Sequence, residues 1–198
     1  MAKQAFMNTR EEILGLSVPL FATVGFDGVS MRDIAAAVGV TPAALYHHFS
    51  DKEQLYLDAV GYAFEDKVGP LKSLLDGGGK PWDRFEAFVV LLTRLLAKDK
   101  NFRRLMQWVR LDSDEQRLKK LADCVFLDMF NALCKLAGEL APGHSPHLVV
   151  VSMIGLVNYP FETQSVRRFH PGYQRQDEDP EAIARHVVGL LRNGLGGS

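Results

Sequence analysis

Residues 30–52, SMRDIAAAVGVTPAALYHHFSDK, constrain this chain more than any other stretch. Ser30 is a good N-cap, because its hydroxyl can accept from a first-turn N–H. Asp33, three residues on, can reach back to complete a capping box. The helix so opened buries Met31, Ile34 and Ala35, then stops at Val38-Gly39-Val40, where Gly39 supplies the backbone freedom of a tight turn. Thr41 caps the next helix, with Pro42 at its first position, where a missing N–H costs nothing. Leu45 and Phe49 lie four apart and face inward. Ser50 and Glu53 predict a further capping box and a third helix from Asp51. Two short helices joined by a three-residue glycine turn make a helix-turn-helix. Its second helix would enter the major groove of DNA with its N-terminal residues foremost.

The order Ile34-Ala35, Ala37-Val38-Gly39-Val40-Thr41, Leu45-Tyr46, His48-Phe49, Lys52-Glu53 and Leu55 resembles the N-terminal signature of the tetracycline-repressor (TetR) family. Arg10, Ile13-Leu14, Phe21 and Gly25 fall where the first helix of that family has similar residues. The specific likeness covers residues 8–62; beyond them only length and helical character are shared. The resemblance implies that Thr41, Pro42, Ala43 and Ala44 lie where the family touches bases, with Tyr46 and Lys52 at phosphate-contact positions and Ser30, His47 and His48 on the same surface. Small apolar groups at 42–44 can read only thymine methyls or allow close approach. His48 matches a frequent family residue, whereas His47 departs from the usual aromatic.

Charge runs against this reading. Residues 1–60 carry four Lys/Arg and seven Asp/Glu, and the whole chain has a net charge of −1. DNA-binding modules are ordinarily basic. Backbone N–H groups can hold phosphates without formal charge, so modest non-specific affinity and a shallow salt dependence are expected.

The remaining pattern is helical throughout. A first helix is expected over residues 9–24, ended by Gly25. The helix from Asp51 should kink or break at Gly69-Pro70 and end at Gly77-Gly78-Gly79. Further helices follow at 81–97 and 102–111. Another, opened by a capping box of Ser113 and Gln116, runs to about 140. A nearly all-apolar helix from Ser145-Pro146 should kink at Pro160 and end near Phe169, and a last helix is capped by Asp179-Pro180. These nine helices define an all-α fold, with a helix-turn-helix domain at residues 1–52 and a helical bundle for ligand binding and dimerisation at 53–198. Residues 1–7 show no pattern, and the tail 194–198 is expected to be flexible.

The chain's 198 residues are ample for a core. The most apolar run, 148–157, is about half the length of a membrane span, and no secretory signal opens the sequence, so no membrane partner and a cytoplasmic location are expected. Cys124 and Cys134, on one helix, would lie roughly 15 Å apart, which predicts buried free thiols and no disulfide. No metal, cofactor or catalytic set emerges. His47 and His48 are adjacent and point apart, where a helical metal pair sits four apart. His144 and His147 flank Pro146 in a loop and read as solvated. Gly77-Gly78-Gly79-Lys80 is followed by Pro81, where a phosphate loop requires Ser or Thr. The basic cluster Arg94, Lys98, Lys100, Arg103, Arg104 and Arg110 reads first as a solvated face and second as a seat for an anionic group.

Two apolar sets remain in the body. Phe85, Phe88, Leu92, Met106, Trp108, Val109, Phe126, Met129, Phe130, Met153 and Tyr159 are core residues by default, but flexible Met and flat rings also line apolar cavities. The family resemblance implies that such a cavity takes a small-molecule effector. A helix apolar on all sides must be buried on several sides. Val150, Met153, Ile154, Val157 and Phe161, with Ile183, Val187, Leu190 and Leu191 of the last helix, are assigned to a two-fold dimer interface, which the family resemblance implies is a four-helix bundle; the alternative is a helix buried centrally within one monomer. The resulting expectation is a homodimeric repressor released from a palindromic double-stranded DNA operator by a largely apolar ligand. A same-fold DNA-binding protein answering to a protein partner, or to no ligand, stays open, as does a helical enzyme or adaptor.

Overall fold

The computed structural model describes residues 9–195. The expectation for residues 1–7 lies outside them, as does that for 196–198; Gly194 and Leu195 close the last helix. The described residues contain no strand and eleven α-helices: α1 (Arg10–Val24), α2 (Met31–Val38), α3 (Pro42–Tyr46), α4 (Lys52–Asp76), α5 (Pro81–Lys98), α6 (Lys100–Leu111), α7 (Glu115–Leu121), α8 (Leu127–Leu140), α9 (Pro146–Glu162), α10 (Gln164–Arg167) and α11 (Pro180–Leu195). The excess over nine has two sources. A π-helical turn at Ala122–Phe126 divides the expected 113–140 helix into α7 and α8, and α10 is separated from α9 at Thr163.

Local chemistry sets the helix starts. Thr9 and Glu12 form a capping box on α1, Ser30 and Asp33 another on α2, and the Thr41 hydroxyl accepts from the Ala44 N–H on α3. Two expected caps shift by one residue. On α4 it is Asp51, not Ser50, that accepts from the Gln54 N–H at 2.7 Å, while the Ser50 hydroxyl donates to Asp51. On α7 Asp114, not Ser113, accepts from the N–H groups of Gln116 and Arg117. In both pairs a carboxylate outcompetes the neighbouring hydroxyl, being the stronger acceptor and the better complement to the helix dipole. Of the two alternatives at Pro70, a kink or a break, the break does not occur. α4 continues through Pro70 to Asp76, and α9 passes Pro160 to end at Glu162. A proline deletes one N–H bond, and burial of the flanking turns can offset that loss.

The chain forms two compact units: one gathers the chain up to Asp66 with Asn101–Val125, the other Lys67–Lys100 with the chain from Phe126. In the first, Phe21, Ile34, Leu45, Phe49, Leu55, Tyr56, Leu105 and Leu121 form a core in which each is no more than 1% exposed. In the second, α11 packs most extensively on α5 and α8 on α9. Phe85, Val89, Leu96, Leu136, Val150 and Val187 lie at its centre. No helix among the described residues is long and apolar enough to cross a membrane. Both cysteines are free, but Cys124 is exposed and Cys134 half-buried, against the expectation of buried thiols. Cys124 lies in the π turn, where an extra residue per turn rotates it off the α-helical stripe.

Candidate nucleic-acid interface

α3 stands on Leu45 and Phe49, which are fully buried, and everything between and before them faces out. Thr41, Pro42, Ala43, Tyr46, His47 and His48 are exposed, and Ala44 is half-buried. Pro42 and the Thr41 cap start the helix, and Tyr46 ends it after five residues, with His47 as its C-cap. A surface concavity of about 800 Å³ brings Ser30, Pro42, Tyr46 and Lys52 together, with Asp27, Arg32 and Asp33 among its other walls. Four of the nine expected DNA-contact residues thus share one depression. Arg32, exposed at the second position of α2, is a cation there that pattern reading passed over.

Ser30 and Lys52 have structural duties first. The Ser30 N–H and hydroxyl both donate to Asp33, which holds the Asp33 carboxyl below the usual carboxylate range. The Lys52 ammonium donates to the carbonyls of Phe26 (3.0 Å) and Val29 (3.1 Å) and lies 4.0 Å from the Phe26 ring centroid. Two of its three N–H bonds therefore serve the α1–α2 connection, leaving one for a phosphate.

That connection is tightly built. Gly25 ends α1 at φ 72°, ψ −173°, and an added Cβ there would lie 2.8 Å from the Trp108 ring. Phe26 meets the buried Tyr56 edge-on at 5.2 Å, and Phe21 meets the same ring at 5.0 Å. Burial, reinforced by the Asp112 carboxylate, pushes the Tyr56 hydroxyl up to about 12, so it stays a neutral phenol at any physiological pH. On the other side of the head, Arg10 of α1 pairs with Asp58 of α4 at 2.5 Å and lies over the Phe49 ring.

The expected effector residues separate. Met106, Trp108 and Val109 belong to the first unit, where Trp108 packs on Gly25 and is a structural prop of the head. Phe85, Phe88, Leu92, Met129 and Met153 are buried in the second unit, and Phe126 and Phe130 are half-buried there. Tyr159 points outward, 66% exposed.

The residues assigned to the dimer differ in exposure within the single chain. Val150, Met153, Val157, Phe161, Ile183, Val187 and Leu191 are buried inside their own unit, which leaves them little surface to offer a second copy. Ile154 is half-buried, and Leu190 alone of the set is exposed. A helix apolar on every side offers no periodic signal of which face the monomer keeps. The outward apolar residues are Leu148, Val151 and Tyr159 on α9 and Leu190 on α11. A cavity of about 670 Å³ lies between α9 and α11, lined by Gly155 and Tyr159 of the one and by Ala182 and His186 of the other.

Fold and surface together define a class: a helix-turn-helix protein with an exposed recognition helix and a separate helical bundle. Residues 13–59 match the model of the bacterial regulatory proteins of the tetR family. The HTH-type transcriptional repressor KstR2 of Mycolicibacterium smegmatis is 32% identical over 75 residues, which cover 38% of this chain and only 37% of that relative. The crystal structure of the transcriptional regulator FadR from Bacillus subtilis, in complex with stearoyl-CoA, has a TM-score of 0.78 at 19% identity, covering 94% of this chain and 99% of that one. The crystal structure of AibR in complex with isovaleryl coenzyme A and operator DNA gives 0.68 at 26% identity, over 92% and 98%. Residues 13–59, about a quarter of the chain, are thus similar to the DNA-binding region of the tetR family, and the chain spans little more than a third of the length of the curated relative it matches.

Proposed function

We propose that this chain is a homodimeric transcriptional repressor that leaves a pseudo-palindromic operator when a small effector binds its body. One observation carries the reading: an exposed run, Thr41–His48 apart from half-buried Ala44 and inward Leu45, on a recognition helix whose inner side is fully buried. Residues 1–52 form the DNA-reading head in this proposal, and 53–198 hold effector and partner; α6 and α7 pack with the head all the same. Its place is the cytoplasm, and it is not an enzyme.

Thr41, Pro42, Ala43 and Ala44 meet base edges, and Tyr46, His47, His48 and the remaining Lys52 N–H meet phosphates. Two copies must place their recognition helices about one helical turn of DNA, roughly 34 Å, apart. An effector that prefers another spacing lowers affinity only by its difference in affinity for the two states. The buried aromatic and methionine set of the second unit, Phe85, Phe88, Met129 and Met153 with Phe126 and Phe130, suits an apolar group. The ligands named for FadR and AibR support an acyl-coenzyme A thioester as the effector class.

Selection of bound sequences from a random duplex pool tests the core of this. A two-fold symmetric motif is expected. Tyr46→Ala should weaken binding across all selected sequences alike, with base preference unchanged, as the loss of a phosphate contact does. A folded protein that enriches nothing would reject the proposal.

A further inference from the structure

The α6–α7 corner carries an ion pair that DNA contact does not require. Arg117 donates from Nε (2.5 Å) and Nη2 (2.6 Å) to the two Asp112 carboxylate oxygens, a bidentate pair whose side chains are 8% and 6% exposed. Asp114, which caps α7, adds a third carboxylate oxygen at 3.6 Å. The guanidinium so held lies 4.0 Å from the centroid of the Phe26 ring, the same ring that the Lys52 ammonium approaches to 4.0 Å. Phe26 follows Gly25 in the α1–α2 connection, and the next turn of chain delivers the Ser30 cap of α2. Arg117 reaches across more than eighty residues of sequence to the one aromatic that anchors this connection, and all these groups lie within the first compact unit.

We propose that Arg117 is a positioning residue for DNA recognition: clamped by Asp112, it presses on Phe26 and, with Lys52, fixes the α1–α2 connection from which the helix-turn-helix is hung. A planar guanidinium locked by two parallel hydrogen bonds is suited to this, since it stacks on the ring with little freedom left to lose. The inference rests on the proposed DNA-binding function.

The test uses the full-length chain and the duplex that the wild type selects from a random pool. Arg117→Met keeps an unbranched apolar stem and removes the guanidinium with its charge and planarity. The variant is expected to stay helical, to exchange the backbone amides of residues 26–38 faster, and to bind the duplex roughly ten-fold more weakly. The slope of log affinity against log salt should be unchanged, because no phosphate contact is lost. Wild-type exchange with wild-type affinity overturns the proposal. So does a slope reduced by about one, which would make Arg117 itself a phosphate ligand. Faster exchange with unaltered affinity overturns it too, leaving a purely structural pair. If Arg117→Met does not fold, Phe26→Leu removes the ring and spares the ion pair; the same losses support the proposal and their absence rejects it. A wild type that selects no duplex ends the functional reading alone, since the exchange measurement needs no DNA and still reports whether Arg117 holds the connection.

Discussion

Gly25→Ala is expected to destabilise the head by about 2–5 kcal/mol, a large share of the 5–15 kcal/mol that holds a typical domain together. Two separate costs add. At φ 72° and ψ −173° the backbone occupies a region that essentially only glycine visits, a strain of about 1–3 kcal/mol for any side chain. The new methyl would also sit 2.8 Å from Cδ2 and Cε3 of Trp108, closer than carbon atoms pack. The ring is 38% exposed and can yield; the backbone cannot, because the Gly25 N–H is tied to the Phe21 carbonyl at 2.9 Å. A double-mutant cycle in urea separates the costs. Trp108→Ala in the Gly25→Ala background should recover the steric part, giving a coupling of about 1 kcal/mol or more, while the conformational part persists. Strict additivity would mean that Trp108 does not limit this position.

The head was legible in the sequence because its grammar is local. The Ser30–Asp33 box, the Gly39 turn and the Thr41-Pro42 start each involve residues three apart or fewer, and each is present as read. The two misplaced caps, Ser50 for Asp51 and Ser113 for Asp114, show the resolution of that grammar. Where two capping residues are adjacent, the pattern cannot choose between them, and geometry selects the carboxylate. What stayed hidden is long-range. Lys52 reads as an exposed cation at a phosphate position, yet most of its donors turn back to Phe26 and Val29. Trp108 reads as a cavity ring and is instead a prop against Gly25. Arg117 and Asp112, five apart in the sequence, belong to no motif there. Nothing in their spacing announces Phe26, because the contact exists only once α6 and α7 pack with the head.

Val151→Glu and Leu190→Glu, each alone, are expected to give folded monomers by sedimentation, whereas Val157→Glu is expected to unfold the body. The contrast follows from burial. Val151 (49% exposed) and Leu190 (51%) face out of the bundle, so a carboxylate there stays hydrated in the monomer and loses that hydration only when a second copy covers it. Val157 is 2% exposed inside its own chain, and a charge at that site has no partner and no water in any state that keeps the fold. The DNA consequence should exceed that of any single contact residue. A dimer seats its second head from an effective concentration in the millimolar range, so dissociation is expected to cost about a hundred-fold or more in affinity for a two-fold site. Half-site binding by each head should survive, because the helix-turn-helix core lies wholly in the other compact unit. If Val151→Glu and Leu190→Glu both leave the dimer intact, the outward faces of α9 and α11 are not where the copies meet. If instead both variants are monomeric yet bind the two-fold site as tightly as the wild type, the heads read DNA independently, and an effector could not release them by changing their spacing.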